Sequence, residues 1–249
     1  MTSTMNELSV SNGDQAGQTL GLRAEFRPAI FCDFDGTITE EDAVDQLLIE
    51  HASPEWRSIE RLWDDGLIGS RECLERQIAC IGHLTQSTMT AFVNGLHIDP
   101  GFSRFFRHIQ SQRIPFHIVS DGFDLIIRRV LEKHGIQDVL VFANHLTLAQ
   151  DRLVATFPLS NPECRVQAGM CKCQILQRTA AGAPTLYIGD GRSDLCACRH
   201  AGTVLAKGHL IEYCRSEGIP FVPFENFDDV MEYVLTQEKA YALRMPVAV

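Results

Sequence analysis

An apolar run, Pro28-Ala29-Ile30-Phe31-Cys32, stops abruptly at Asp33-Phe34-Asp35-Gly36-Thr37, and no other stretch restricts the possible folds of this chain so tightly. Unbroken apolar residues without alternation suit a strand covered on both faces, as parallel strands are in α/β sheets. Two carboxylates delivered where such a strand ends, followed at once by a glycine, stand where open α/β sheets place their ligands. Charges there call for a cation. The bland alternative is a strand-end turn with solvated acids.

The rest of the chain repeats this grammar. Buried strands are predicted at 114–119, 139–142, 185–188, 203–206 and 221–222, with a further extended region at 153–157. Helical spacing is predicted over 102–112, 123–134, 172–181, 210–217 and 227–237, and a helix that runs through Ala201 follows the 185–188 strand. This alternation predicts an α/β fold, a three-layer Rossmann-like parallel sheet with helices on both faces. Residues 51–99 differ: Ile59, Leu62, Trp63, Cys73, Leu74, Ile78, Met89, Phe92 and Val93 follow helical spacing, and no strand signal interrupts them. The predicted division is a core of 26–50 and 100–237, a small all-helical cap at 51–99, a disordered tail at 1–25 and a C-terminal tail at 238–249.

Charge narrows the partners. Twenty-two basic residues against 32 acidic ones leave a net charge of −10, which argues against nucleic acid or an anionic membrane surface. A small anionic substrate then needs a local basic pocket and a metal. No apolar run approaches the roughly 20 residues of a membrane span, and the start of the chain carries no basic leader, so a cytoplasmic location is expected. Without a secretion signal, the nine cysteines are expected as free thiols rather than a disulfide framework. Cys171-Lys172-Cys173 lacks the spacing of a structural zinc site.

Polar groups stand out at four places: Asp33/Asp35, Ser120, Lys172 and Asp190/Asp194. The first, second and fourth follow strands, and Lys172 opens a helix. Together, as DxDGT, a strand-end serine, a lysine and GDxxxD in that order, they resemble the motifs of the haloacid dehalogenase superfamily of phosphohydrolases, over most of the chain beyond residue 30. The resemblance implies an aspartyl-phosphate mechanism with Asp33 as nucleophile, Asp35 as general acid and base, and Lys172 as a fixed cation. Mg2+ is implied as cofactor, held by Asp33, Asp190 and the Asp35 carbonyl, with Asp194 either reaching it through water or orienting Lys172. Ser120, Asp121 and Gly122 are the expected phosphate donors. The dehalogenase branch lacks the second aspartate of the first motif, so Asp35 favours phosphate over carbon–halogen chemistry.

The helical insertion resembles the cap of the phosphoserine phosphatase-like branch, with Asp42 where that branch turns an acid toward substrate. Arg57, Arg61, Arg71 and Arg76 are the cap cations that could meet a substrate carboxylate. Pro54-Glu55-Trp56 and the cysteine-bearing loop before Lys172 are similar, more narrowly, to phosphatases of methionine salvage, although Ser120-Asp121-Gly122 stands where a Gly-Gly is usual there. Small phosphorylated metabolites are the implied substrates, with phosphoserine, phosphocholine and phosphoethanolamine as alternatives. An inactive phospho-ligand binder is the reading from another class.

Overall fold

The computed structural model describes residues 27–244, and the expected tail at 1–25 lies outside them. Strand β1 (Ala29–Cys32) is buried along its whole length. It lies inside a seven-stranded sheet of order β4-β3-β2-β1-β5-β6-β7. Its side chains alternate between the two faces. Ile30 and Cys32 enter the larger core, whereas Ala29 and Phe31 enter the smaller one on the other side. Burying each large apolar side chain there contributes about 1.5–3 kcal/mol.

On either side of β1, strands β2 (Phe116–Phe123) and β5 (Thr185–Gly189) run parallel to it. Beyond β5 lie β6 (Thr203–Ala206) and the two-residue β7 (Val222–Pro223). Helices α1 (Ala43–His51), α5 (Phe102–Ser111), α6 (Asp124–Lys133) and α10 (Phe227–Arg244) bury apolar faces in the larger core. Helices α7 (Lys172–Thr179), α8 (Leu195–Cys198) and α9 (Gly208–Glu217) cover the smaller one. Between α1 and α5 stand α2 (Trp56–Asp64), α3 (Ser70–Ala79) and α4 (Gln86–Gly95), with no strand among them. That excursion is closed at its base by a bridge between Thr39 and Ile98. No helix of the described residues is long and apolar enough to cross a membrane.

Four expectations need correction. First, β2 does not end at Val119 but continues through Ser120, Asp121 and Gly122 to Phe123, with a register shift against β3 between Val119 and Phe123. Those residues therefore sit inside an irregular strand, and α6 starts only at Asp124. Their polar groups hold the irregularity open: the Ser120 hydroxyl accepts the Gly122 N–H at 2.8 Å, and Asn144 Nδ2 donates to the Asp121 carbonyl at 2.5 Å. Second, β3 (Leu140–Ala149) is ten residues long and pairs antiparallel with β4 (Arg152–Thr156), so the sheet is not wholly parallel. The hairpin turns on Gln150 and Asp151, both left-handed, and this dipeptide carries none of the Asn-Gly signal such turns usually give. Third, α8 has four residues after a 3-10 turn at Arg192–Asp194, and does not run through Ala201. Fourth, α10 continues past Gln237 to Arg244, into the segment read as a tail.

Candidate active site

The chain leaves β1 through Asp33, whose N–H still bonds the Ile188 carbonyl of β5 at 2.9 Å. Its carboxylate folds back on the turn: Oδ1 accepts the Phe34 N–H at 2.8 Å. Gly36 makes the turn possible in two ways. Its φ of +68° is left-handed, and an added Cβ would come within 2.5 Å of Asp190 Oδ2. Thr37, next along, donates its hydroxyl to Asp190 Oδ1 at 2.7 Å, so the first turn grips the loop that follows β5.

That loop carries the second half of the site. Asp194 is completely buried and accepts four hydrogen bonds, two at each oxygen. Lys172 Nζ at 2.5 Å and the Tyr187 hydroxyl at 2.6 Å reach Oδ1. The Asp190 and Gly191 N–H groups reach Oδ2 at 3.0 and 3.1 Å. Lys172 opens α7, is 3% exposed, and also contacts Asp33 Oδ1 at 2.9 Å and Ser193 Oγ at 3.0 Å. One ammonium thus joins two carboxylates from separate strand ends.

Burial works against charge throughout. Desolvation and the neighbouring Asp194 push the Asp33 carboxyl well up, against the pull of Lys172. Asp190 is pushed up to about 6 by burial and Asp194. Burial opposes the Lys172 charge, but Asp194 and Asp33 outweigh it and hold the ammonium well above the ordinary lysine value. Carboxylate oxygens of Asp33, Asp190 and Asp194 lie within 4.8 Å of one another. Three clustered carboxylates outnumber the two nearby ammoniums, Lys172 and Lys207, and this excess of hard oxygen donors fits a hard divalent cation. Asp33 and Asp190 are the carboxylates free to ligate, because Asp194 is saturated by its four donors.

Asp35 turns the other way. Its Oδ1 accepts the Ala43 N–H at 3.1 Å and its Oδ2 the Ser120 hydroxyl at 3.0 Å. Burial, then the nearby Asp42, push it up to about 7, so it holds a proton near neutrality. Its carboxylate is not among the clustered acids, which leaves only its backbone carbonyl for a metal.

The structure divides the remaining expected residues. Ser120, Asp121, Gly122 and Asp42 all line a cavity of about 190 Å3 that also holds Asp33, Asp35 and Asp190. The Ser120 hydroxyl proton goes to Asp35, however. Both Asp121 carboxylate oxygens are taken by protein donors: Oδ2 by the Ser70 hydroxyl, Oδ1 by the Met170 N–H at 2.8 Å and Asn144 Nδ2 at 3.2 Å. Gly122 is required by space, since a Cβ there would collide with Asp35 Oδ2. Asp42 caps α1, accepting the Val44 and Asp45 N–H groups at 2.8 and 3.0 Å. None of Arg57, Arg61, Arg71 and Arg76 lines the cavity. Arg76 pairs with Glu72 and Arg57 stacks on Trp56. The basic side chain that does line it, Arg192, is held by the Trp63 and Asp64 carbonyls and stacks on Trp63.

Sequence reasoning missed Tyr187 and Thr37 as parts of the site. Tyr187 had a signal: a phenol in an otherwise aliphatic buried strand must find a partner for its hydroxyl. Thr37 lay in the motif without an assigned task.

A strand-end carboxylate bound to a buried helix-start lysine, beside a second acid-bearing loop in a parallel sheet, defines a hydrolase site built for charge neutralisation. The model of the haloacid dehalogenase-like hydrolase family matches residues 30–199, and the chain belongs to that family. A 2-hydroxy-3-keto-5-methylthiopentenyl-1-phosphate phosphatase of an Exiguobacterium species is 32% identical over 208 residues, 82% of this chain and 96% of that one. The protein of the same name from Geobacillus kaustophilus is 29% identical, covering 84% of this chain and 96% of its own. Among solved structures, a phospho-aspartyl intermediate analogue of a phosphoserine phosphatase superposes with a TM-score of 0.64 at 18% identity, over 83% of this chain and 98% of that one. At that identity the likeness speaks for the fold.

Proposed function

We propose that the protein is a Mg2+-dependent phosphomonoesterase that hydrolyses a small phosphorylated metabolite through an aspartyl-phosphate on Asp33. The observation that carries this reading is the buried Asp33–Lys172–Asp194 triad, with ion pairs at 2.9 and 2.5 Å, set beside Asp190. Lys172 orients the Asp33 carboxylate for in-line attack on phosphorus and offsets the charge of the phosphoryl oxygens. Protonated near neutrality, Asp35 donates to the leaving oxygen and then accepts a proton from the water that cleaves the intermediate. Mg2+, held by Asp33, Asp190 and the Asp35 carbonyl, would supply the neutralisation that brings an anionic nucleophile to an anionic substrate. Asp194 fixes Lys172, and Ser120 fixes Asp35. Residues 51–99 act as the cap that closes over the substrate.

The names of the relatives support 2-hydroxy-3-keto-5-methylthiopentenyl-1-phosphate as substrate, and Val44, Trp63 and Leu74 give the cavity an apolar wall for a thioether tail. A second reading, the phosphate ester of an amino alcohol such as choline or ethanolamine, is favoured by Asp45 and Glu60 on the same wall, where Arg192 is already engaged. Phosphoserine fits less well, since its carboxylate meets no free cation among the described lining residues. A cytoplasmic location suits a metabolite substrate and nine free thiols.

The test is turnover of para-nitrophenyl phosphate with and without Mg2+, followed by a panel of the three substrate types. Mg2+-dependent turnover that vanishes in Asp33→Asn is expected. Undiminished turnover in Asp33→Asn overturns the nucleophile, and a fully active preparation in excess chelator overturns the metal.

A further inference from the structure

Four thiols form a row beside the buried lysine. Cys171 Sγ lies 3.4 Å from Cys173 Sγ. Cys164 neighbours Cys171 at one end, and Cys196 neighbours Cys173 at the other. A zinc site needs its thiolates around one point, but among the described residues no three of these sulfurs gather within a single ligand shell. The row is graded in access: Cys171 is 2% exposed and Cys164 is buried, while Cys173 and Cys196 reach the surface in part. Cys171 is the cap residue of α7 and Cys173 its second residue, so the closest pair brackets Lys172.

We propose that Cys171 and Cys173 form a redox-active dithiol, which a hydroperoxide closes to a disulfide, and that closure switches the Lys172 site off. As Cys173, the more accessible of the pair, attacks the peroxide O–O bond, its proton passes to the Cys196 sulfur beside it and on to the departing oxygen, so that Cys173 becomes a sulfenic acid and hydrogen peroxide leaves as water. Cys171 then attacks the sulfenic sulfur, the S–S bond forms, and the hydroxyl leaves as a second water. The two thiols lose two electrons and the peroxide gains them. The sulfurs must close from 3.4 Å to about 2.05 Å. A ring spanning only Cys171-Lys172-Cys173 pulls on the backbone from which Lys172 departs, and its ammonium is held to two carboxylates at 2.5 and 2.9 Å. A 1 Å displacement there is enough to lower turnover about 100-fold.

The loss of turnover rests on the catalytic role of Lys172, whereas the crosslink itself can be read without any activity. Trypsin cleaves after Arg165, Lys172 and Arg178, so a Cys171–Cys173 disulfide holds peptides 166–172 and 173–178 together until a reductant parts them. The full chain, freed of reductant, is treated with graded hydrogen peroxide, then mapped by mass spectrometry and assayed on para-nitrophenyl phosphate with Mg2+. The expected result is this crosslinked pair, a fall in turnover of at least tenfold in step with its formation, and recovery with dithiothreitol. Cys171→Ser and Cys173→Ser each retain turnover under reducing conditions and lose the reversible response. Crosslinking of Cys173 to Cys196 instead, or full turnover in the crosslinked protein, overturns the proposal. So does an unchanged reversible response in both variants. The mapping is done on wild type, so it stands even where a variant folds poorly.

Discussion

Replacing Lys172 with methionine removes one ammonium while keeping most of the side chain's volume. Lys172 is 3% exposed and sits 2.9 Å from Asp33 and 2.5 Å from Asp194. Without it two buried carboxylates face each other uncompensated, and breaking a buried pair in this way costs about 3–5 kcal/mol. At roughly 2–4 °C per kcal/mol for a chain of this size, the melting temperature falls by about 6–20 °C. The loss has a pH dependence whose sign can be worked out. Asp33, already pushed up by burial and Asp194, rises further when its cation is gone. A carboxyl whose folded pKa lies above its unfolded value of about 3.9 takes up a proton on folding, so the destabilisation is small near pH 4 and grows as pH climbs through the folded value. Urea unfolding of wild type and Lys172→Met, in chelator at about pH 5 and pH 7.5, measures the gap directly. It should be wider at the higher pH, and adding Asp194→Asn to the variant should narrow it. A gap below about 1 kcal/mol at pH 7.5, or one of equal size at both pH values, would refute the reasoning.

Three further outcomes follow from the same geometry. Asp35→Asn is expected to lower kcat about 10²–10⁴-fold with little change in KM, because it removes the proton donor and leaves Asp33 in place; a variant altered in KM alone contradicts the assignment. Gly36→Ala forces a side chain into a φ of +68° and toward Asp190 Oδ2, so unfolding free energy should drop by about 1–2 kcal/mol and half-saturation by Mg2+ should rise. Unchanged values of both would show that the turn gives way freely. Tyr187→Phe takes one of four donors from Asp194 and should destabilise by about 1.5–3 kcal/mol, the range for hydrogen bonds to charged groups. A denaturant midpoint equal to wild type would mean that the phenol contributes nothing there.

Much of the fold was legible because the strands of the sheet's centre are buried on both faces and leave unbroken apolar runs: Ala29–Cys32 and Thr185–Gly189 are examples. The edge was harder to read. Residues 145–148 of β3 alternate polar and apolar because only one face of this sheet margin is buried, and their hairpin turns on Gln150 and Asp151 without the glycine that usually marks such a turn. The acids of the site were legible by type and spacing, since Asp33, Asp35, Asp190 and Asp194 each follow an apolar strand. Which way each carboxylate faces was not, because orientation is decided by partners distant in sequence. Asp35 is turned by Ser120, 85 residues on, and Asp190 by Thr37, 153 residues back.

The same distance decides which partners Ser120 and Asp121 take. A strand that ended at Val119 would release their N–H groups and hydroxyl at a helix start, as the resemblance implied. Instead the bulge in β2 keeps them in the sheet, where the Ser120 hydroxyl serves Asp35 and the Asp121 carboxylate binds Ser70 at the start of α3. Asp121 also accepts the Met170 N–H, two residues before Lys172. One side chain therefore ties the helical excursion to the backbone that delivers Lys172. Any movement of α3 away from the sheet must first break a half-buried hydrogen bond to a carboxylate whose other oxygen braces that backbone. The helical excursion and the placement of Lys172 are thus mechanically joined through Asp121, which gives this residue a structural reason to be acidic.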